Sequence, residues 1–576
     1  MSLEEDRAVQ AARDTVVQEF KEGFKVLGGP ESSVSHQHDI DRIPREDVTQ
    51  EMLSNSTDNP ESWLMFGGNY EHHRHTACDV ITPDNVDNLD LEYELEVGNG
   101  SSMEGTPIVV PGDPPIMYQT NGPNHMKAID AREGEVLWSY THPVPDDALL
   151  CCDDNTRGAA VYEDKVFMCT LDSGVVALDR YAGEKLWYHS TADYKHGYSA
   201  TWAPIVANGM VFTGSAGGEY GVRGFFTAID AESGDEKWFT HTSPPEEWIG
   251  ENGEESCGTV WMTATYDEER DALYCPVGNP GPDLDGTVRP GPNRNTCGTL
   301  NIDAETGERG WFFQTSSHDI WDYESSAPRM LLRDMEVSNT AEIEGNVTDL
   351  VVGASKTGMA YMMDPDTGYL HERSDPGTQQ VNMFRMIPHM NESRRLPFIP
   401  GVMGGNDWQP PSYCPETGLC YFKMQNDPSE ARWENEENIQ GQAYWGGDYY
   451  AEPNARQAPD EWNGHTSVVV AIDPQTGERI WQDWIDSEQY LWGGSMTTAA
   501  GLLFLGTQNG NFVAYDGESG ERLWEFDAGD APISGDPMGW YDPETEKQYI
   551  AVQMGGSGWL RTGQRDDRLL VFSMEE

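Results

Sequence analysis

The sequence predicts an all-β protein: an eight-bladed β-propeller whose ring is closed by strands from the two ends of the chain. Three observations predict it: a composition rich in turn residues, a repeat that occurs seven times, and a tryptophan that ends six of the seven copies. Glycine supplies 60 and proline 35 of the 576 residues, which favours a turn-rich β-protein over a helical one. A chain of this length needs several domains or one large closed repeat.

The repeat has the pattern apolar-x-Asp-x-x-x-Gly-x-x-x-Trp. Its copies are AIDAREGEVLW (128–138), ALDRYAGEKLW (177–187), AIDAESGDEKW (228–238), NIDAETGERGW (301–311), MMDPDTGYLHE (362–372), AIDPQTGERIW (471–481) and AYDGESGERLW (514–524). Each copy predicts strand, turn, strand, with the aspartate bonding the turn backbone and glycine supplying a positive φ. We expect each tryptophan to lie between adjacent blades; the fifth copy has Glu372 in its place.

Seven copies mark seven blades, and the ends of the chain predict an eighth. LDLEYELEVG (89–98) precedes the first copy, while KQYIAVQMGG (547–556) and RLLVFSMEE (568–576) follow the last. Joined in one sheet, these strands would leave no free edge, as in other closed propellers. Seven blades is the main rival count. The predicted domains are therefore one propeller over 61–576 and an extension over 1–60, with a short helix near 16–27 that packs on the body or binds a partner.

The charge of the chain limits the kinds of partner that it can bind. Asp and Glu number 99 against 36 Lys and Arg, a net charge of −63 spread along the whole chain. Such a surface suits high salt, where charge repulsion is screened, and we infer a halophilic source. Nothing in it would neutralise nucleic-acid phosphates or an anionic membrane. No apolar run is long enough to span a membrane, and the start MSLEEDRAVQAARD is too acidic for an export signal.

Four short motifs point to chemistry: CCDDNTRG (151–158), GSAGGEYGVRG (214–224), VGNPGP (277–282) and HDIWDYES (318–325). Taken singly, the adjacent cysteines read as two buried thiols and the carboxylates as surface charges. Taken in order, with the tryptophan repeat and the stretch 62–98, they resemble the pyrroloquinoline quinone (PQQ)-dependent alcohol dehydrogenases of the methanol and ethanol type. The resemblance covers about nine-tenths of the chain.

The resemblance implies a metal site and a catalytic base. It places Glu219, Asn279 and Asp322 as ligands of a hard cation such as Ca²⁺, which prefers oxygen ligands, and Asp322 also as the base. Some members of the family carry a second carboxylate two residues after the base and use a lanthanide. This chain has Glu324 there, and two outcomes stay open: Glu324 contacts the metal, or it turns away and bonds a neighbour.

The resemblance also implies the cofactor contacts. Cys151 and Cys152 would form a vicinal disulfide against one face of the quinone, and Trp261 would stack on the other. The remaining implied contacts are Glu104, Arg157, Thr201, Gly217, Gly218, Thr259, Lys356, Asp407 and Trp492. The chain departs from the family pattern at three of the positions considered: Thr156 is inserted in the cysteine motif, Ala216 replaces a serine, and Asp407 replaces an asparagine.

The implied reaction is oxidation of a small alcohol to an aldehyde or ketone. Asp322 takes the alcohol proton while hydride passes to the quinone. Because the sequence has no Cys-x-x-Cys-His haem motif, electrons would leave to a separate cytochrome or small copper protein. Family members usually work outside the cytoplasmic membrane, so we expect an extracytoplasmic location; a homodimer stays open, as does the identity of the alcohol, which loops in 240–300 and 375–460 would select.

Two other functions compete with this one. A non-catalytic propeller scaffold would show a degraded site, whereas the motif residues stand together; a propeller hydrolase would need a nucleophile motif, which is missing. EHHRHTACD (71–79) fits no standard zinc spacing and is interpreted as a loop near the ring closure. Cys414 and Cys420 flank the turn CPETGLC, and we expect them to pair across it, with the other cysteines as buried thiols.

Overall fold

The computed structural model describes residues 32–98, 102–152, 154–249, 256–337, 346–384, 396–451, 462–486, 490–556 and 566–575. The helix predicted near 16–27 lies outside these residues. Within them, no helix combines the length and the apolar character that crossing a membrane requires. One α-helix, α1 (Gln50–Ser54), lies ahead of the propeller; the Thr49 hydroxyl caps it by accepting from the Met52 amide at 3.2 Å.

Strands make up most of the regular structure. The first nineteen are β1 (Ser33–His36), β2 (His75–Thr76), β3 (Asp90–Glu96), β4 (Ile108–Val110), β5 (Ile116–Asn121), β6 (His125–Asp130), β7 (Glu135–Thr141), β8 (Ala159–Tyr162), β9 (Lys165–Thr170), β10 (Gly174–Asp179), β11 (Lys185–Ser190), β12 (Ile205–Ala207), β13 (Met210–Thr213), β14 (Phe225–Asp230), β15 (Glu236–His241), β16 (Thr265–Asp267), β17 (Ala272–Val277), β18 (Gly298–Asp303) and β19 (Arg309–Gln314). The others are β20 (Met330–Val337), β21 (Asn346–Ala354), β22 (Ala360–Met363), β23 (Leu370–Arg373), β24 (Leu396–Phe398), β25 (Ser412–Cys414), β26 (Leu419–Gln425), β27 (Ser429–Trp433), β28 (Gly447–Ala451), β29 (Ser467–Ile472), β30 (Arg479–Ile485), β31 (Ser495–Thr498), β32 (Leu502–Gly506), β33 (Asn511–Asp516), β34 (Arg522–Asp527), β35 (Met538–Asp542), β36 (Lys547–Met554) and β37 (Arg568–Glu575).

The described strands form eight sheets built on a four-stranded antiparallel meander and one smaller sheet. The meanders are β4–β7, β8–β11, β12–β15, β16–β19, β20–β23, β25-β26-β29-β30, β31–β34 and β35-β36-β37-β3. β1, from the predicted extension, adds to the edge of the first meander, and β2 adds to that of β31–β34. β24, β27 and β28 form the small sheet. The β-propeller fold is confirmed; the count of eight blades and the division at residue 60 stay predictions, the former supported by these eight meanders.

Burial differs between the inner and outer strands of a meander. β5, β9 and β29 are buried at every residue, whereas β3 alternates between exposed and half-buried positions. An inner strand is covered on both faces by neighbouring sheets, so apolar residues such as those of KVFMCT run continuously rather than alternating. The core therefore lies between the sheets, around the ring.

The predicted turns lie between the third and fourth strands. In the third copy, Asp230 Oδ1 accepts from the Glu232 amide at 3.0 Å and the Ser233 amide at 2.8 Å. The glycine of every copy has a φ between +68° and +75°, the left-handed region that favours glycine. These local interactions are the ones that the repeat predicts.

The tryptophans join each sheet to the next one along the chain. In five of the six copies that end in tryptophan, the indole Nε1 donates to the carbonyl of the residue after the next copy's aspartate: Trp138 to Arg180 (3.2 Å), Trp187 to Ala231 (3.2 Å), Trp238 to Ala304 (2.9 Å), Trp311 to Pro365 (2.8 Å) and Trp481 to Gly517 (2.8 Å). The motif glycine lies directly against the ring: a Cβ on Gly234 would be 2.8 Å from Trp187 Cδ2. In the fifth copy, the stem of Glu372 takes this position against Gly477.

The ring is closed by pairing between the two ends of the chain. β3 pairs antiparallel with β37, with Glu94 opposite Leu570. Tyr93 on β3 acts as the tryptophans do elsewhere: its hydroxyl donates to the Ala131 carbonyl at 2.8 Å, and its ring lies against Gly134. The sequence repeat did not reveal this contact because its aromatic residue is a tyrosine and lies far from any copy of the motif.

The prediction that Cys414 pairs with Cys420 is wrong, since both are buried free thiols. Cys414 is opposite Leu419 in the β25–β26 ladder and Cys420 is opposite Tyr413, so the two side chains point to opposite faces of the sheet. A turn that brings two backbones together does not bring these two sulfurs together.

Candidate active site

The meander topology determines where the predicted site residues lie. In four antiparallel strands, the loop from the second to the third strand and the connection from the fourth strand to the next sheet lie at the same end, opposite the Asp–Gly turns. The connections between sheets carry Glu104, Cys151, Cys152, Arg157, Thr201, Thr259, Trp261, Asp322, Glu324, Asp407 and Trp492; the loops within sheets carry Gly217, Gly218, Glu219, Asn279 and Lys356. All of these residues therefore belong to one end of the sheets.

The structure brings every one of them to a single cavity of about 110 Å³, which is partly open to solvent. The small sheet is inserted at the same end, because its strands come from the connection before β25 and the loop between β26 and β29. It contributes Tyr449, on β28, to the cavity wall, and Met403, from the connection between β24 and β25, also lines the cavity. The predicted site residues therefore line one and the same cavity.

Asp322 lies in a loop that holds it in an unusual conformation. Its φ is +66°, a region that non-glycine residues adopt at a cost. The flanking Trp321 and Tyr323 are buried, and the Tyr323 amide donates to Asp319 Oδ2 at 3.0 Å. These contacts compensate the strain and fix the direction of the Asp322 carboxylate.

Lys356 is the centre of the charged groups in the cavity. Its Nζ lies 2.9 Å from Asp322 Oδ2, 2.9 Å from Glu324 Oε1 and 3.5 Å from Asp407 Oδ1. Burial raises the pKa of Asp322, and the adjacent ammonium opposes this. Burial also raises the pKa of Asp407, to about 7. One ammonium thus lies close to three carboxylates, of which Glu324 and Asp407 are buried and Asp322 is partly buried.

Glu324 bonds its neighbours with both oxygens. Besides Lys356, it accepts from the Trp261 indole at 2.9 Å and from the Ser326 hydroxyl at 2.7 Å, both at Oε2. Burial disfavours its ionisation, yet the lysine and the two donors outweigh that and lower its pKa. Of the two outcomes left open by the sequence, the structure displays the bonds to neighbours, with Glu324 still lining the cavity.

Glu219 and Asn279 face the cavity from two adjacent loops. Glu219 sits in a single 3₁₀ turn (Gly218–Tyr220), and burial raises its pKa to about 7. The Asn279 amide nitrogen donates to Asp283 Oδ1 at 2.8 Å, which directs the amide oxygen elsewhere. An amide oxygen and carboxylate oxygens are the donor set that a hard cation binds.

Cys151 and Cys152 form the disulfide that the family resemblance implies. The Asn155 amide donates to the Cys152 carbonyl at 2.9 Å, and Cys152 Sγ lies 3.9 Å from Glu219 Oε1. The disulfide therefore forms part of the cavity wall beside the candidate metal ligands.

Arg157 lies among aromatic rings on the cavity wall. It donates to Glu104 Oε2 at 2.7 Å, and its guanidinium is 4.8 Å from the centre of the Trp408 ring and 5.6 Å from that of Trp261. Its Nε is buried with no hydrogen-bond partner among the described residues. This remaining donor would suit an anionic group of a ligand.

Sequence reasoning missed several residues of the cavity. Asp283 follows the quoted VGNPGP by one position and had a signal, a carboxylate four residues after Asn279; Trp408 directly follows Asp407. Tyr449 lies in the insertion, where no motif could indicate it. Ser199, Asn155 and Leu150 also line the wall.

The lining charges indicate what the cavity can hold. Its carboxylates are Glu104, Glu219, Asp283, Asp322, Glu324 and Asp407, and its cations are Arg157 and Lys356. Six acids, four of them buried and two partly buried, against two bases leave an excess that a multivalent cation would neutralise. The disulfide and the Trp261 indole add flat apolar surface for a planar ligand. The residues present thus fit a metal ion together with an aromatic cofactor that carries acidic groups.

Comparison with known proteins agrees with this chemistry. The sequence model of the glucose/ethanol/alcohol dehydrogenase β-propeller domain, named for PQQ, matches residues 63–370. A second propeller model, that of the outer membrane protein assembly factor BamB, matches residues 465–571, which contain the last two repeat copies.

Individual relatives match most of the chain. The lanthanide-dependent methanol dehydrogenase of Methylacidiphilum fumariolicum (strain SolV) is 31% identical over 549 residues, covering 87% of this chain and 86% of its own length. The quinoprotein ethanol dehydrogenase of Pseudomonas aeruginosa is 29% identical over 574 residues, covering 89% and 88%. A solved europium-containing methanol dehydrogenase superimposes with a TM-score of 0.80 at 27% identity, covering 91% of this chain and all of that one. With the fold, the disulfide and the assembled cavity, these matches show that the chain belongs to the family of PQQ-dependent alcohol dehydrogenases.

Proposed function

We propose that this protein oxidises a small alcohol to an aldehyde or ketone in the cavity described above, with PQQ and a metal ion bound and Asp322 as the general base. The observation that carries the proposal is the cluster of carboxylates around the buried Lys356, in the same cavity as the Cys151–Cys152 disulfide and Trp261. When bound, the quinone supplies the two-electron acceptor and the metal ion supplies a Lewis acid.

The metal ligands in this proposal are Glu219, Asn279 and Asp322. Glu324 is the fourth candidate, and a shift of its side chain away from Lys356 would bring a further negative charge to the ion. A trivalent lanthanide gains more from that charge than Ca²⁺ does, because Coulomb energy scales with ionic charge. We therefore favour a lanthanide and keep Ca²⁺ as the alternative.

The cofactor contacts follow from the cavity wall. We assign the disulfide and Trp261 to the two faces of the quinone, and Arg157 and Thr201 to its acidic groups. Glu104, Gly217, Gly218, Thr259, Asp407 and Trp492 complete the proposed contacts around the edge. The free Nε donor of Arg157 supports this assignment, because a buried guanidinium is most stable when every N–H is bonded.

The residues around Asp322 would prepare it to act as a base. The Lys356 ammonium, 2.9 Å away, favours the carboxylate form that can accept the alcohol proton. The buried backbone of the Asp322 loop keeps the acceptor oxygen in place, so that little reorganisation is needed. Trp408, Met403 and Tyr449 line the cavity and would help to exclude water from the reacting alcohol.

We further propose that electrons leave to a separate acceptor, a cytochrome or a small copper protein, and that the protein works outside the cytoplasmic membrane. The Cys151–Cys152 disulfide supports that location, since such bonds persist in oxidising compartments.

The test is reconstitution of the metal-free protein in high salt with PQQ and either Ca²⁺ or La³⁺. Quinone absorbance reports binding, and reduction of a dye with short primary alcohols reports turnover. We expect turnover that requires both quinone and metal. Asp322→Asn should lower kcat by about 10²–10⁴-fold, the usual contribution of a general base, without abolishing quinone binding. Failure of the quinone to bind with either ion would instead favour the non-catalytic propeller.

Glu324→Ala tests the choice of ion in the same assay. If Glu324 binds the metal, the variant should lose its affinity for La³⁺ much more than its affinity for Ca²⁺. An equal loss with both ions would mean that Glu324 only orients Lys356 and Trp261, the two neighbours that it contacts.

A further inference from the structure

Two sequence stretches that the proposed function does not use come together in the fold. His75, from EHHRHTACD, lies on β2, while Cys414 ends β25 and Glu416 lies in the CPETGLC turn. The possible metal-binding atoms of the three side chains all lie within 4.8 Å of one another. Glu416 Oε2 is 3.7 Å from His75 Nε2 and 3.3 Å from Cys414 Sγ. None of the three lines the candidate active site.

Hydrogen bonding determines which nitrogen of His75 faces this cluster as a lone pair. The Thr497 hydroxyl donates its one proton to the Tyr413 carbonyl at 2.9 Å. Its contact with His75 Nδ1, also 2.9 Å, must therefore be one in which Nδ1–H donates to Thr497 Oγ1. Nε2 of the neutral ring then presents a lone pair to the Glu416 carboxylate. Two acceptors face each other, an arrangement that a cation between them would stabilise.

Backbone hydrogen bonds to the residues before and after His75 hold it in place. β2 pairs in parallel with β31, the Thr497 amide donates to the Arg74 carbonyl at 2.9 Å, and the Ala499 amide donates to the Thr76 carbonyl at 3.0 Å. The imidazole is thus fixed in direction before any ligand arrives, with its side chain only 5% exposed.

Cys414 and Glu416 are held by a closed turn. The Gly418 amide donates to the Cys414 carbonyl at 2.8 Å, and Gly418 has a φ of +68°. Cys414 is fully buried, while the Glu416 side chain is 41% exposed. The cluster therefore has a fixed interior and one side that solvent ions can reach.

From this geometry we propose a second metal site, in which His75 Nε2, Cys414 Sγ and a Glu416 oxygen bind a divalent transition metal of the zinc class, with water as the fourth ligand. Mixed nitrogen, sulfur and oxygen donors with one open position are typical of zinc rather than of calcium or a lanthanide. Binding replaces the thiol proton: Cys–SH and M²⁺ give Cys–S–M and one H⁺ released to solvent. The thiolate and the carboxylate together balance the +2 charge of the ion, so the buried complex is neutral.

The test uses the full chain, stripped of metal, with Co²⁺ as the spectroscopic probe. We expect a thiolate-to-cobalt charge-transfer band that saturates at one Co²⁺ per chain and disappears when Zn²⁺ is added. This band separates the proposed site from the acidic surface and from the active-site cavity, because in both places Co²⁺ would bind oxygen ligands without giving the band. Release of one proton per Co²⁺ is the second readout.

The chain offers a matched control in Cys420, a second buried thiol of the same hairpin on the opposite face of the sheet. Cys414→Ser should abolish the band and Cys420→Ser should keep it. Glu416→Gln, at a side chain exposed enough to leave folding intact, should weaken Co²⁺ binding by about 10-fold or more. The proposal is overturned if the native chain gives no band, if the band survives in Cys414→Ser, or if Glu416→Gln binds Co²⁺ as tightly as the native chain.

Discussion

At the scale of single residues, burying carboxyl groups in the candidate active-site cavity lowers the stability of the folded protein. Asp407 illustrates this, because its side chain is buried and lies 3.5 Å from the Lys356 ammonium. Burial raises its pKa from 3.8 to about 7. In the unfolded chain the same carboxyl ionises near its ordinary value, so between these two pH values only the unfolded state loses the proton.

This shift predicts a pH-dependent effect of Asp407→Asn on the metal-free protein. Because the pKa is higher in the folded state, stability falls by about 1.4 kcal/mol per pH unit as pH rises from the unfolded-state pKa to the folded-state pKa, and then levels off. The neutral asparagine avoids that loss. The difference in unfolding free energy between the variant and the native chain should therefore shift in favour of the variant by about 2–3 kcal/mol from pH 5 to pH 8. Urea unfolding at constant high salt measures it.

The control for this experiment is Asp84→Asn, at an exposed position. It removes the same charge without changing a buried group, so its effect should vary little over the same pH range. If Asp407→Asn gave the same stability difference at pH 5 and pH 8, the inference that burial of this carboxylate lowers stability would be refuted.

At the scale of elements, the unit that repeats is a glycine turn held under the tryptophan of the preceding sheet. The structure separates two reasons for the glycine: a positive φ and the absence of a Cβ against the indole. Gly234→Ala conflicts with both requirements, since the φ at this position is +74° and the new Cβ would lie 2.8 Å from Trp187. Gly418→Ala conflicts only with the first, because the φ at this position is +68° and no atom lies within 4 Å of the new Cβ.

We predict that Gly418→Ala costs about 1 kcal/mol of unfolding free energy, the strain of a left-handed alanine. Gly234→Ala should cost about 1–3 kcal/mol more, because the indole must move from its contact with the turn. Chemical denaturation of the two variants measures both values. Equal losses would show that the indole contact contributes nothing to the choice of glycine.

The range over which residues interact also determined which features could be predicted from the sequence. The seven turns were predictable, because each depends on residues of its own short motif, whereas the site residues were implied only by the family resemblance. Tyr449, which enters the cavity from an insertion, was not predictable, nor was the approach of His75 to Cys414, because strand pairing between distant segments determines them. The wrong cysteine pair, Cys414 and Cys420, has the same cause: the ladder register, which the sequence does not display, assigns them to opposite faces.

At the scale of the whole molecule, the net charge of −63 opposes folding unless salt screens it. The Debye length falls from about 10 Å at 0.1 M to about 3 Å at 1 M, which shortens the reach of repulsion between surface carboxylates. We predict that the unfolding free energy rises as KCl increases over this range, measured by thermal or urea unfolding. A constant or falling value would remove the support for a halophilic source.

Closure of the ring is the other property of the whole molecule, and Tyr93 provides its test. The contact of Tyr93 with Ala131 and Gly134 joins the last sheet to the first. Tyr93→Phe removes one hydrogen bond and should cost about 1 kcal/mol, while Tyr93→Ala also removes the ring and should cost about 2–3 kcal/mol. Tyr369→Phe, at a side chain that is 52% exposed, is the control and should cost almost nothing.

Hydrogen exchange would show whether this loss is local to the closure. Because β3 is held by β37 on one side and by Tyr93 at the next sheet, removing the Tyr93 ring should let β3 open without unfolding the other sheets. The amides of Asp90–Glu96 should then exchange faster in Tyr93→Ala, while those of an inner strand such as β9 keep their protection. Uniform acceleration in both strands would mean that the propeller opens as one cooperative unit and that its closure is no weaker than any other junction.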